Sequence, residues 1–305
     1  MRRIIMPEID AMHREVRTLA AELGTYSGRF AALTGRPPCA QPLPARDALA
    51  RIAEDLRATL FPGYFDGLEP VGAKLQSIGV ALEEQIRRGL CFACRDPKAH
   101  AGCSRQAAEL TRQFLEGLPE IQRTLLEDVM AAYEGDPACK TPEEAILAYP
   151  GVYALTLHRI AHSLCELEVP LLPRMITEIA HSATGIDIHP GARIGKRFFM
   201  DHGTGVVIGE TCIIGNRVRL YQGVTLGAKS FHLDEEGHPV KGVPRHPIIE
   251  DDVIIYAGAT ILGRVTIGRD SIIGGNVWLT RGVPPGSRVT QGSAQYDAFH
   301  FGSGI

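Results

Sequence analysis

The sequence contains no apolar run approaching the ~20 residues that a membrane-spanning helix requires. Its opening segment, MRRIIMPEID, carries two arginines but no apolar stretch of signal-peptide length, so a cytoplasmic location with no membrane contact is expected. A charge excess of either sign is also missing. With 32 Lys and Arg against 35 Asp and Glu, the net charge is −3, which leaves no electrostatic case for nucleic acid or an acidic membrane as partner. Seven scattered cysteines are an odd number and do not form the dense framework of a small secreted domain. What remains is an ordinary globular composition, 45% apolar and 22% charged over 305 residues, enough for one large domain or two ordinary ones.

Two periodicities divide the chain. Residues 1–184 read as a helical domain, poorly defined over 1–70, where the proline-rich segment from Gly35 to Pro44 reads as a loop. Further on, Ala107, Leu110, Phe114 and Leu118 recur at helical spacing. Thr141-Pro142-Glu143-Glu144 is a helix start: Thr141 can cap, Pro142 costs nothing in the first turn, and Glu144 can complete a capping box. Pro150-Gly151 ends that short helix, residues 151–167 and 171–183 give two more, and Gly185 suits a left-handed terminator.

After residue 185 the period becomes six. Ile188, Ile194, Met200 and Val206 form one series; after a slip of two, Ile208, Ile214, Leu220 and Leu226 form a second. Following an interruption, the series resumes at Ile249 and runs in steps of six to Leu279. Neither a helix nor a simple strand has this period. Three hexads per turn of a triangular parallel β-coil do, with the aliphatic residues stacked inside. The coil is expected over 185–286 with a long loop at 227–248, followed by a flexible tail over 287–305.

Several segments within this frame carry chemistry. They are Asp187-Ile188-His189-Pro190, Asp201-His202-Gly203-Thr204-Gly205, Gly209-Glu210-Thr211 and Arg245-His246-Pro247, with Gly135-Asp136-Pro137-Ala138 upstream. Together they resemble the serine O-acetyltransferases of the hexapeptide-repeat acyltransferase family, over roughly residues 120–305. The resemblance implies an α+β chain, with an all-helical N-terminal domain followed by a left-handed parallel β-helix. It also implies acetyl transfer from acetyl-CoA to the hydroxyl of L-serine, giving O-acetyl-L-serine for cysteine biosynthesis. A serine hydroxyl is a poor nucleophile at neutral pH and needs a base, for which imidazole has the right pKa. By resemblance the catalytic pair is His202 with Asp187 as its orienting carboxylate. Asp136 and Asp201 hold the substrate ammonium, and Arg245, supported by His246, pairs with the substrate carboxylate. Gly227, Ala228, Ala257 and Gly275 stand where the family contacts the pantetheine arm of CoA.

The resemblance further implies a homotrimer or a dimer of trimers with sites in the clefts between subunits, and feedback inhibition by L-cysteine. It also implies docking of the C-terminal Ile305 into O-acetylserine sulfhydrylase. The loop ahead of Arg245 is longer than in well-known members, with Asp234, Glu235, Glu236 and Gly237 at an expected hairpin tip; Lys229 and Lys241 are candidates for CoA phosphates. Cys91, Cys94, His100 and Cys103 could supply four metal ligands, but a single short CxxC is weak, and no metal is assigned. The competing readings are a coil acyltransferase for another amino acid or a sugar, a metal-dependent hydratase using His189, His202 and His246 as ligands, and a non-catalytic scaffold.

Overall fold

A computed structural model describes residues 6–34, 42–65, 70–94 and 100–292. Seven helices precede fourteen short strands among these residues. The helices are α1 (Met6–Thr34), α2 (Arg46–Leu60), α3 (Val71–Ala93), α4 (His100–Gly135), α5 (Pro142–Ala148), α6 (Pro150–Glu166) and α7 (Leu172–Thr184). The poorly defined region before residue 70 thus holds two of them. Local signals set the later boundaries. Thr141 Oγ1 accepts from Glu144 N at 3.4 Å, while the Glu144 carboxylate accepts from Lys140 N at 2.8 Å. Gly185, at φ +70°, ends α7 in the left-handed region.

The strands form three parallel sheets. One contains β1 (Asp187–Ile188), β4 (Val207–Ile208), β7 (Thr225–Gly227), β10 (Thr260–Leu262) and β13 (Trp278–Leu279). The second contains β2 (Arg193–Ile194), β5 (Ile213–Ile214), β8 (Ile248–Ile249) and β11 (Thr266–Ile267). The third contains β3 (Phe199–Met200), β6 (Arg219–Leu220), β9 (Ile254–Ile255), β12 (Ile272–Ile273) and β14 (Arg288–Val289). Up to β13 each strand pairs with the third one along the chain, so three successive strands make one rung; β14 pairs with β12. The register places Ile188 on Ile208 and Leu226 on Ile261, so the hexad residues stack in columns. Nearly all of them are buried, and they form one apolar core with Val218, Val224, Val253 and Ala259. Each such side chain contributes roughly 1.5–3 kcal/mol by leaving water.

The coil runs past the expected end at residue 286. Arg288–Val289 pairs in register with β12, and Val283 bridges to Ile267. The step from Leu279 to Val283 is four rather than six and is followed by Pro284-Pro285, which hides this last rung from a search by period. The long loop turns at Asp234–Gly237 as a small hairpin, where the Asp234 carboxylate accepts from Glu236 N and His238 N.

A buried ion pair joins helices to coil. Arg159 of α6 donates to Asp128 of α4 at 2.7 Å, and its two remaining donors reach Ile194 O at 3.1 Å and Gly195 O at 2.7 Å. The other Asp128 oxygen accepts from Phe198 N at 2.9 Å. Removing one member of a buried, fully hydrogen-bonded pair typically costs about 3–5 kcal/mol. Close packing reinforces the joint: a Cβ on Gly151 would lie 2.6 Å from Met200 O.

Candidate active site

The chemistry-bearing residues collect on two edges of the coil. The first edge is where the chain passes from the third sheet to the first. His202 lies there, two residues after β3, with φ +58°. Arg197, Arg217, Asp252, Asp270 and Asn276 adopt the same left-handed conformation at other corners, so this backbone is a property of the coil. Its effect at His202 is to turn the imidazole outward, leaving it 70% exposed. His202 Nδ1 is 3.6 Å from Asp201 Oδ1, and the Asp201 carboxylate is largely shielded from solvent.

Asp136 approaches from the turn after α4. One of its oxygens accepts from Ala138 N at 2.8 Å, and the other accepts from the Tyr149 hydroxyl at 2.5 Å. The Tyr149 hydrogen bond, then the Ala138 amide and the nearby His202 hold this carboxyl below the usual carboxylate range. Asp187 stands one rung below on the same edge, paired in register with Val207. Among the described residues it pairs with Arg174 Nη1 at 3.8 Å, and the carboxylate paired with His202 is Asp201. Arg174 is braced in turn on Glu178 at 2.6 Å.

The second edge lies where the chain leaves the first sheet for the second, and it carries Arg245 and His246. Thr211 organises them: its Oγ1 accepts from Arg245 N at 2.9 Å and from His246 N at 3.1 Å. Thr211 N donates to His246 Nδ1 at 3.1 Å, which makes Nδ1 the acceptor and leaves Nε2 to carry the proton of the neutral ring. Burial, with Arg245 alongside, pushes His246 down to about 4. The Arg245 guanidinium pairs with Glu210 at 2.7 Å. His189 shares this edge and is lowered chiefly by burial. The three coil histidines therefore do not converge, since His202 stands on the other edge.

The four expected CoA contacts divide between the edges. The strand registers place His202, Gln222, Ala257 and Gly275 in one column. At about 4.8 Å per rung, Ala257 is roughly 10 Å and Gly275 roughly 14 Å from the His202 rung. Beside this column Tyr221 and Tyr256 stack with ring centroids 5.0 Å apart, directly above Asp201. Gly227 and Ala228 belong to the second edge, where a Cβ on Gly227 would lie 2.9 Å from Leu262 Cδ2.

Of the four candidate metal ligands, Cys91 and Cys103 are buried, and the His100 side chain lies outside the described residues. Burial, with Cys91 next, pushes the Cys103 thiol up to about 11. Glu178, His181 and Asp187 do come together among the described residues, but Arg174 already pairs with both carboxylates. Sequence reasoning did not assign Tyr149, Arg174 or Arg264, the last of which donates to Thr211 O at 2.7 Å and His246 O at 3.0 Å. Nor did it give separate roles to Glu210 and Thr211, which it quoted only within a motif.

Comparison with known proteins matches this layout. The family described as "Serine acetyltransferase, N-terminal" matches residues 69–156, and the "Bacterial transferase hexapeptide (six repeats)" family matches residues 246–281. A plasmid serine acetyltransferase of Synechococcus elongatus is 54% identical over 276 residues, covering 87% of this chain and 86% of that protein. The chain belongs to the serine acetyltransferase family. Among solved members, serine acetyltransferase 1 of Entamoeba histolytica in complex with L-cysteine has a TM-score of 0.70 at 36% identity, covering 82% of this chain and 88% of its own. A serine acetyltransferase in complex with CoA has a TM-score of 0.52 at 28% identity, covering 79% of this chain and 95% of its own.

Proposed function

We infer that this family member is a serine O-acetyltransferase that moves the acetyl group of acetyl-CoA onto the hydroxyl of L-serine. The observation that carries this reading is the first edge, where an exposed imidazole stands beside Asp201 and an ionised Asp136. His202 takes the hydroxyl proton as the serine oxygen bonds to the acetyl carbon. The carbon–sulfur bond then breaks, and the imidazolium returns its proton to the CoA thiolate. Asp187 orients the imidazole, Asp136 and Asp201 hold the ammonium, and Arg245 with His246 holds the carboxylate.

Residues with complementary tasks stand on different edges of one coil, which supports a site completed by a second copy. His202, Ala257 and Gly275 of one chain would face Gly227, Ala228, Arg245 and His246 of its neighbour in a homotrimer of left-handed β-helices or a dimer of such trimers. L-cysteine, with the same ammonium and carboxylate as serine, would occupy the serine contacts as a feedback inhibitor in a cytoplasmic enzyme of cysteine biosynthesis. The helical unit over 1–184 would cap the coil. Ile305, which lies outside the described residues, would dock into O-acetylserine sulfhydrylase, a claim tested by titrating that enzyme with peptides that end in Ile305 or lack it.

The deciding assay is release of free CoA from acetyl-CoA with L-serine, L-homoserine or an aminosugar as acceptor. Serine should give the highest kcat/KM, and preference for either rival would reassign the substrate.

A further inference from the structure

The first sheet carries an outward-facing row of Asp187, Val207, Thr225, Thr260 and Trp278, paired rung on rung. Its side chains are small or polar until the top, where the chain's single tryptophan stands. Val277 and Leu279, on either side, turn inward to the apolar core. The indole turns outward and is 69% exposed, more than any other large apolar side chain described in the coil. Among the described residues no aromatic ring stacks on it. The Tyr256 ring, one rung lower, is already stacked on Tyr221, which leaves the indole as the free flat surface at this height.

One exposed apolar side chain is ordinary in itself. What distinguishes Trp278 is its distance from the reacting groups. It stands three rungs above Val207, the strand residue that follows His202, which is about 14 Å at ~4.8 Å per rung. Ala257 and Gly275 stand in the His202 column on the way up, and Gly275 lies just ahead of Trp278 in the chain. Both leave the column open to a ligand lying along it. The pantetheine arm, from sulfur to the first phosphorus, has about thirteen bonds and extends roughly 15 Å at ~3.4 Å per three bonds of an extended chain. A thioester held at His202, with its arm along Ala257 and Gly275, therefore brings its diphosphate to the rung of Trp278. The adenosine attached to that diphosphate meets the indole.

We propose that Trp278 is the platform on which the adenine of the acyl donor stacks, so that the coil reads the nucleotide end of CoA as well as the thioester. This rests on acetyl-CoA being the donor, and it concerns recognition rather than the chemical step. Because Trp278 is the only tryptophan, indole emission of the full chain reports on this one position. CoA and its adenosine bisphosphate half should quench that emission, and pantetheine, which lacks the nucleotide, should not. Calorimetry on the same samples measures binding independently. CoA bound with the emission unmoved, or pantetheine quenching as strongly as CoA, overturns the proposal and leaves the transferase reading standing. No binding of CoA overturns both. In steady state, Trp278→Ala should raise KM for acetyl-CoA about tenfold, the loss of one stacked base, and Trp278→Phe should restore most of it. KM for S-acetyl-pantetheine should stay within about twofold, so the alanine variant loses its preference for the full donor. Equal losses with both donors would make Trp278 a structural residue of the top rung and reject the platform.

Discussion

The phenolic hydroxyl of Tyr149 donates to the carboxylate of Asp136 at 2.5 Å. It is the leading cause of the lowered pKa of that carboxyl, so it extends the acid range over which Asp136 stays charged. In Tyr149→Phe that pKa rises toward the ordinary carboxylate value. The acid limb of kcat/KM for serine should therefore move to higher pH, with KM increased several-fold at low pH and kcat on the plateau little changed. A pH profile of both parameters checks this, and an unmoved acid limb would separate Asp136 from the serine site.

His202→Ala should lower kcat by about 10²–10⁴ without loss of fold, since general-base catalysis typically contributes that much. Asp187→Asn should lower kcat more than it weakens CoA binding. If only CoA binding suffers, Arg174 is the true partner of Asp187 and the orienting role passes to Asp201, which already faces His202 Nδ1.

Arg245→Ala removes a charge-assisted contact worth about 1.5–3 kcal/mol, so KM for serine should rise roughly 10–100-fold and inhibition by L-cysteine should weaken in parallel. If each site draws on two chains, mixing His202→Ala with Arg245→Ala through denaturation and refolding should regain part of the lost activity. Mixed assemblies that remain as inactive as the parents would confine the site to one chain.

Gly209 marks a close approach, because a Cβ there would lie 2.0 Å from His246 Cδ2. Gly209→Ala must push the imidazole off its bonds to Thr211. The expected cost is about 1–3 kcal/mol of overpacking, seen as a lower Tm, together with a raised KM for serine. A variant with native Tm and KM would show that the ring has room to yield.

Acid should destabilise the fold through its buried histidines. His246 is lowered from 6.5 to about 4, first by burial, and fully buried His158 shifts the same way. Because the folded pKa is depressed, the unfolded chain takes up the proton first as pH falls. Stability is complete above pH 6.5 and drains away toward pH 4, by up to roughly 3 kcal/mol for His246. Tm measured between pH 7.5 and 5 should fall, and His246→Asn should reduce the fall.

The period of six made the stacked coil legible, and its two interruptions mark the two edges. Met200 and Ile208 are eight apart because the corner between them, which opens with Asp201 and His202, is two residues longer than the corresponding corners above it. The gap from Leu226 to Ile249 holds the loop that delivers Arg245 and His246. What stayed illegible are the contacts between distant segments. Thr211 reaches Arg245 across 34 residues, and the length of the intervening loop gives no sign of it. Tyr149 sits before a Pro-Gly pair that reads only as a helix break, yet its ring points back at Asp136. The last rung escaped because Pro284 and Pro285 shorten its spacing.

The contacts of Arg159 and Asp128 with the first rung also bear on colloidal behaviour. A stack of parallel rungs is an unfinished ladder, and a second molecule could in principle add its last rung beneath the first and continue indefinitely. Here the carbonyls of Ile194 and Gly195 and the amide of Phe198 are already taken by Arg159 and Asp128, and Pro190 O by His162 Nδ1 at 2.7 Å. Head-to-tail growth into filaments is stopped at its starting face, so a lesion in this ion pair would do more than loosen the joint: it would uncover a template for fibre formation.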